Sequence, residues 1–171
     1  MSQKLKTYVS IFLSVLLITA CSKKLSEQEL LSQAKQFEQQ ENHQEALAIY
    51  QKLIREYPKG DSTDQQLQKI AFIYYNNLND FHKAIEYHDS LIKDFPESNF
   101  VPQARFMIGF IYANDLKDYD MARTRYNEFL EKHPGNELAE SVKWELEHMG
   151  QDVNKQLMEL FGGKNSNGTA K

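Results

Sequence analysis

Very little in this 171-residue chain interrupts a helix. It holds four prolines and seven glycines, and beyond the N-terminus no alternating apolar–polar run marks a strand, so a sheet-built fold is excluded. One cysteine, Cys21, excludes an internal disulfide framework. Basic residues are not in excess. Twenty Lys and Arg stand against 24 Asp and Glu, a net charge of −4, which is small and of the wrong sign for binding nucleic acid. No apolar run reaches the roughly 20 residues of a membrane-spanning helix. The signatures of catalysis are missing too: no G-x-S-x-G, no phosphate-cradling glycine loop and no H-E-x-x-H. The histidines, His43, His82, His88, His133 and His148, include no i, i+4 pair that would set two metal ligands on one helix face. The carboxylates are spread over helix surfaces rather than paired. Neither an enzyme, a metal site nor a cofactor is expected.

The N-terminus is a separate segment. Lys4 and Lys6 precede an apolar stretch from Tyr8 to Ile18, which ends in Thr19-Ala20-Cys21. A basic head, a short apolar core and a small residue before a cut make a secretory signal, residues 1–20. Ala20-Cys21 resembles a bacterial lipobox, which implies cleavage before Cys21 and its acylation. A lone structural cysteine has no use in an oxidising compartment, so a lipid-carrying Cys21 accounts for it. Each buried methylene contributes about 0.8 kcal/mol, and several acyl chains together anchor a protein stably. Cleavage removes two lysines, leaving 18 basic against 24 acidic residues, a net of −6. Ser22 follows the cysteine, which in enteric bacteria favours outer-membrane sorting. Residues 21–26 form the lipidated cysteine and a short linker.

What the chain has in abundance is repetition. Pro58, Pro96 and Pro134 stand 38 residues apart and end the same phrase, in which Ala46/Ala84/Ala122, Tyr50/His88/Tyr126, Leu53/Leu91/Phe129 and Ile54/Ile92/Leu130 recur in phase. That is an amphipathic stripe at i, i+4, i+7 and i+8. Each proline stops its helix, because the residue before it avoids helical angles. Each repeat reads as two antiparallel helices, A and B. The predicted pairs are 27–40 with 44–56, 64–77 with 81–94, and 102–115 with 119–132. Ser26 with Glu29 makes a capping box, Ser62 or Asp64 and Ser98 or Asn99 are candidate caps for the later A helices, and Asp80 and Asp118 cap the B helices. Phe81 and Tyr119 are expected to lock the A–B turns to the core. Leu138, Ala139, Val142, Trp144, Leu146 and Met149 open one more A-type helix, with Trp144 as the core plug of a cap. Val153, Leu157, Leu160 and Phe161 mark a last short amphipathic helix, and residues 162–171 have the composition of a disordered tail.

These residues resemble the tetratricopeptide repeat (TPR) family, carried by Ala34/Ala71/Gly109, Phe37/Tyr74/Tyr112, Ala46/Ala84/Ala122, Tyr50/His88/Tyr126 and Pro58/Pro96/Pro134. The period departs from the usual 34. One residue is added in the A–B turn of repeats two and three, and the loop after each proline is longer. Such loops are similar to those of bacterial envelope TPR lipoproteins and periplasmic proteins of the BamD and YbgF (CpoB) types. The expected fold is an all-α solenoid of TPR-like hairpins. A TPR domain at 27–161 holds repeats at about 27–58, 64–96 and 102–134 and capping helices at 136–161.

The resemblance implies a binding surface on the concave side, lined by A helices. Its positions are Gln65, Gln68, Phe72, Tyr75 and Asn76 in repeat two and Gln103, Phe106, Phe110 and Asn114 in repeat three. Aromatic rings supply contact area and amides bond to backbone, which suits a polypeptide partner. Repeat one carries Leu31, Lys35 and Glu38 at these positions and does not extend the surface. The expected function is a lipid-anchored adaptor at the outer membrane, facing the periplasm and binding an envelope protein or peptide, in outer-membrane protein assembly or envelope organisation. The alternatives are a pilotin-like assembly lipoprotein and, from a different class, an accessory cell-wall enzyme, for which the sequence supplies no cleft chemistry.

Overall fold

The computed structural model describes residues 24–151. The signal segment, Cys21, the amphipathic stretch 153–161 and the tail 162–171 lie outside the described residues. Within them the chain forms α1 (Glu27–Gln39), α2 (His43–Glu56), α3 (Thr63–Asn76), α4 (Phe81–Asp94), α5 (Val101–Phe110), which continues as a π-helical turn (Ile111–Asp115), α6 (Tyr119–Lys132) and α7 (Ala139–His148). No strand occurs among the described residues.

The 38-residue period is written into the backbone. Tyr57, Phe95 and His133, each just before a proline, take nearly the same angles: φ −132°, −134° and −134°, with ψ 61°, 60° and 51°. Glu41, Asn79 and Lys117 hold the left-handed A–B turns at φ 58°, 51° and 56°. Each helix packs mainly on its chain neighbours, hairpin by hairpin, as a solenoid requires.

The added residue of repeats two and three has a visible place. In repeat one the turn closes with the Asn42 N–H donating to the Phe37 carbonyl, 2.9 Å. In the later repeats Asp80 and Asp118 reach one residue further back, to Tyr74 (2.9 Å) and Tyr112 (2.8 Å). The surplus widens the end of each A helix. Leu78 bonds back to Ile73 and Leu116 to Ile111, and in repeat three the last turn is π-helical. The straight α-helix expected up to Asp115 therefore stops at Phe110, because the insertion is absorbed inside the helix as well as in the loop.

The capping box at Ser26 forms, and Asp80 and Asp118 accept from the Lys83 and Met121 amides at 3.0 Å each. The candidate caps of the later A helices do not form. Ser62 has no side-chain capping bond, and Phe100 rather than Ser98 or Asn99 precedes α5. Instead the Ser98 hydroxyl donates to the Asp64 carboxylate at 2.6 Å, joining repeat three to repeat two.

The core is a chain of overlapping clusters. Leu30, Ala34, Ala46, Tyr50 and Leu53 of repeat one pack with Ile70 and Ile73 of α3. Leu67 and Leu91 meet Val101 and Ala104, and Ala84 and Ile85 meet Ile108 and Ile111. Tyr126 and Phe129 pack with Ala139 and Val142 of α7. Gly109 is required by close approach, since a Cβ there would stand 2.5 Å from the Tyr126 ring. Two expectations need correction. Trp144 is 54% exposed, not a core plug, because α7 turns Ala139 and Val142 inward and Trp144, two residues past Val142, falls on the opposite face. Tyr119 is 38% exposed and does not lock its turn as Phe81 does.

Candidate partner-binding groove

Helices α3 and α5, the A helices of repeats two and three, lie side by side with α4 beneath them. Between them runs a groove of about 380 Å³. Phe72, Tyr75, Phe106, Met107 and Phe110 supply its apolar walls, and Gln68, Asn76 and Gln103 its amide rim. None of the lining side chains is a carboxylate, lysine or arginine.

Phe72 is 57% exposed, which sets it outside the inter-repeat core. The Phe106 and Phe110 rings lie 6.0 Å apart, and Phe106 rests on Tyr126 at 6.1 Å. Asn76 and Asn114 recur in phase and hold themselves the same way, each donating to the carbonyl four residues earlier, Phe72 (3.2 Å) and Phe110 (3.3 Å). Burial, followed by the neighbouring Asp115 carboxylate, raises the Tyr75 hydroxyl above its usual pKa. It remains a neutral donor at physiological pH.

Seven of the nine positions read from sequence therefore converge: Gln68, Phe72, Tyr75, Asn76, Gln103, Phe106 and Phe110. Gln65 is exposed one turn away and does not line the groove. Asn114 lines a neighbouring hollow at the distal end, within 3.5 Å of the Glu145 carboxylate. No residue of repeat one lines this groove; Glu38 is engaged by the Tyr50 hydroxyl (2.9 Å) and by Lys69 (3.3 Å).

Two lining residues escaped the sequence reading, Met107 and His88. His88 forms the floor. It is almost wholly buried, its Nδ1 has no hydrogen-bond partner, and burial pushes its pKa down to about 4. It holds the slot that Tyr50 and Tyr126 fill in the other repeats. The signal was present as that one in-phase change from tyrosine to a shorter, polar ring.

An array of stacked helical hairpins is a scaffold of the TPR type. A family model described as YfiO, outer membrane lipoprotein, matches residues 23–124, more than half of the chain. The chain thus belongs to the YfiO family of TPR-containing, BamD-type outer membrane lipoproteins, and its place is the outer membrane, held by lipid. The match takes in repeats one and two, α5 and the start of α6. No curated protein matches the chain.

Proposed function

We propose that this lipoprotein is an adaptor that holds a segment of an envelope protein in the groove between α3 and α5, while acyl chains on Cys21 keep it at the periplasmic face of the outer membrane. The groove itself carries this reading. It offers apolar area, amides at the rim and no charge, a composition suited to burying side chains while bonding to a backbone. The family supports a scaffold in envelope or outer-membrane protein assembly rather than an enzyme.

The linker supports the anchoring role. The Tyr57 hydroxyl donates to the Leu25 carbonyl at 2.7 Å, and the Lys24 ammonium stands 4.5 Å above the Tyr57 ring. Repeat one therefore grips the chain three residues after Cys21. At ~3.4 Å per residue the acylated cysteine is within about 10 Å of that grip, so the array is held close to the bilayer.

Crosslinking in membranes followed by co-purification tests the proposal. Wild type recovers an envelope partner, and the double variant Phe110→Ala with Asn76→Ala, both residues of this groove, recovers much less. Equal recovery from both would move the binding face away from this groove.

A further inference from the structure

Two polar atoms lie buried without a hydrogen-bond partner in the groove between α3 and α5. One is Nδ1 of His88 on the floor, and the other is Oε1 of Gln68 on α3. A buried polar atom costs free energy until something bonds to it, and native chains leave few such atoms. The unpartnered Nε atoms of Arg105 and Arg125 border a crevice too tight for a ligand. Here about 380 Å³ stands open.

The walls say what else an occupant must be. Phe72 is more than half exposed at the lip, and Phe106 and Phe110 face the same hollow with their rings 6.0 Å apart. Aromatic surface of this kind pairs well with another ring, offset or edge-on. A charged tip would be stranded, because no carboxylate, lysine or arginine lines the space. The polar end must therefore be neutral. A neutral imidazole offers one donor and one acceptor, and Oε1 of Gln68 accepts only. A hydroxyl both donates and accepts, so it serves both atoms whichever imidazole nitrogen carries the proton. Repeat one carries the same solution internally. Tyr50, in the slot that His88 holds here, fills the space with its ring and donates its hydroxyl to Glu38. Met107, unbranched and adaptable, is the lining side chain that can yield to let a ring down to the floor.

We propose that the groove takes a tyrosine side chain of the partner polypeptide, its ring against Phe72 and Phe110 and its hydroxyl on His88 and Gln68. The proposal rests on the reading of this groove as a polypeptide site and adds the residue that anchors there.

Titration followed by nuclear magnetic resonance tests it. The full mature chain carrying Cys21→Ser receives either of two blocked, uncharged pentapeptides that differ only in a central tyrosine or phenylalanine. Both are expected to shift the ring signals of Phe72 and Phe110. The tyrosine peptide is expected to bind roughly five- to tenfold tighter, as hydrogen bonds to neutral groups allow. His88→Phe and, separately, Gln68→Met are each expected to shrink that preference. Gln68 is only half-buried, so its variant decides the matter if His88→Phe does not fold. Equal affinities in the wild type would overturn the proposal and leave the groove standing as a site for apolar segments. A preference that survives the substitutions would overturn it too, by placing the hydroxyl elsewhere. If neither peptide moves Phe72 or Phe110, the proposal and the polypeptide reading of the groove fall together.

Discussion

The same slot in repeats one and two has opposite fates. Tyr50 and His88 stand 38 residues apart, on equivalent B helices, both almost wholly buried. Tyr50 spans its space and ends on Glu38, which Lys69 also holds, so the slot is filled and its polar end satisfied. His88 is shorter, ends without a partner on Nδ1, and forms the floor of a groove. A solenoid of near-identical hairpins can thus turn one hairpin from core into site by changing one side chain. Packing demands a filled volume, and wherever a repeat under-fills its slot a partner can complete it.

The contrast can be broken by mutation, beginning with the filled slot. Tyr50→Ala is expected to cost about 3–5 kcal/mol in urea unfolding, as large-to-small core changes do. A loss below about 1 kcal/mol would show that the slot is not core. Next comes pH. His88 titrates near 4 in the folded chain and near 6.5 when unfolded, so between those values the unfolded chain binds more protons. Stability contributed by neutral His88 is complete above pH 6.5, falls as pH drops through the window and is gone below about 4, a change on the order of 3 kcal/mol. The imidazole faces no carboxylate, lysine or arginine across the groove; Tyr75, kept neutral, is the other titratable group lining it. Subtracting the pH profile of His88→Phe should isolate this component, and a flat difference would contradict the burial.

Smaller effects on stability sharpen the comparison. His88→Tyr copies the flanking repeats into repeat two. It is expected to change stability by less than about 1.5 kcal/mol yet to fill the groove and abolish partner recovery from crosslinked membranes. Unimpaired recovery would mean the floor is not part of the site. The smallest shift belongs to Phe72→Ser, within about 0.5 kcal/mol, as for an exposed position. The same variant should weaken partner capture, separating a residue kept for binding from one kept for folding.

Much of the architecture was legible because its causes are local. The prolines stop α2, α4 and α6 at the expected places, and Asp80 and Asp118 cap by reaching three residues along their own chain. Ser98 misled because its hydroxyl had a distant alternative in Asp64. Trp144 misled because apolar character says that a residue prefers burial, and the helix phase sets the face it occupies. Seven of the nine positions that the resemblance implied line one hollow. His88 was not among them, since a histidine on a B helix reads as packing until the space above it is seen.

The periodic pattern alone settled the helical hairpins, their 38-residue beat and the prolines that punctuate them, because each depends on the backbone within a few residues. The convergence of Phe72, Phe106 and Phe110 on one hollow floored by His88, the π-helical turn that absorbs an extra residue, and the outward turn of Trp144 on α7 were decided by the stacking of one hairpin on the next. They depend on how much volume two distant segments leave between them, a quantity that no single stretch of chain contains.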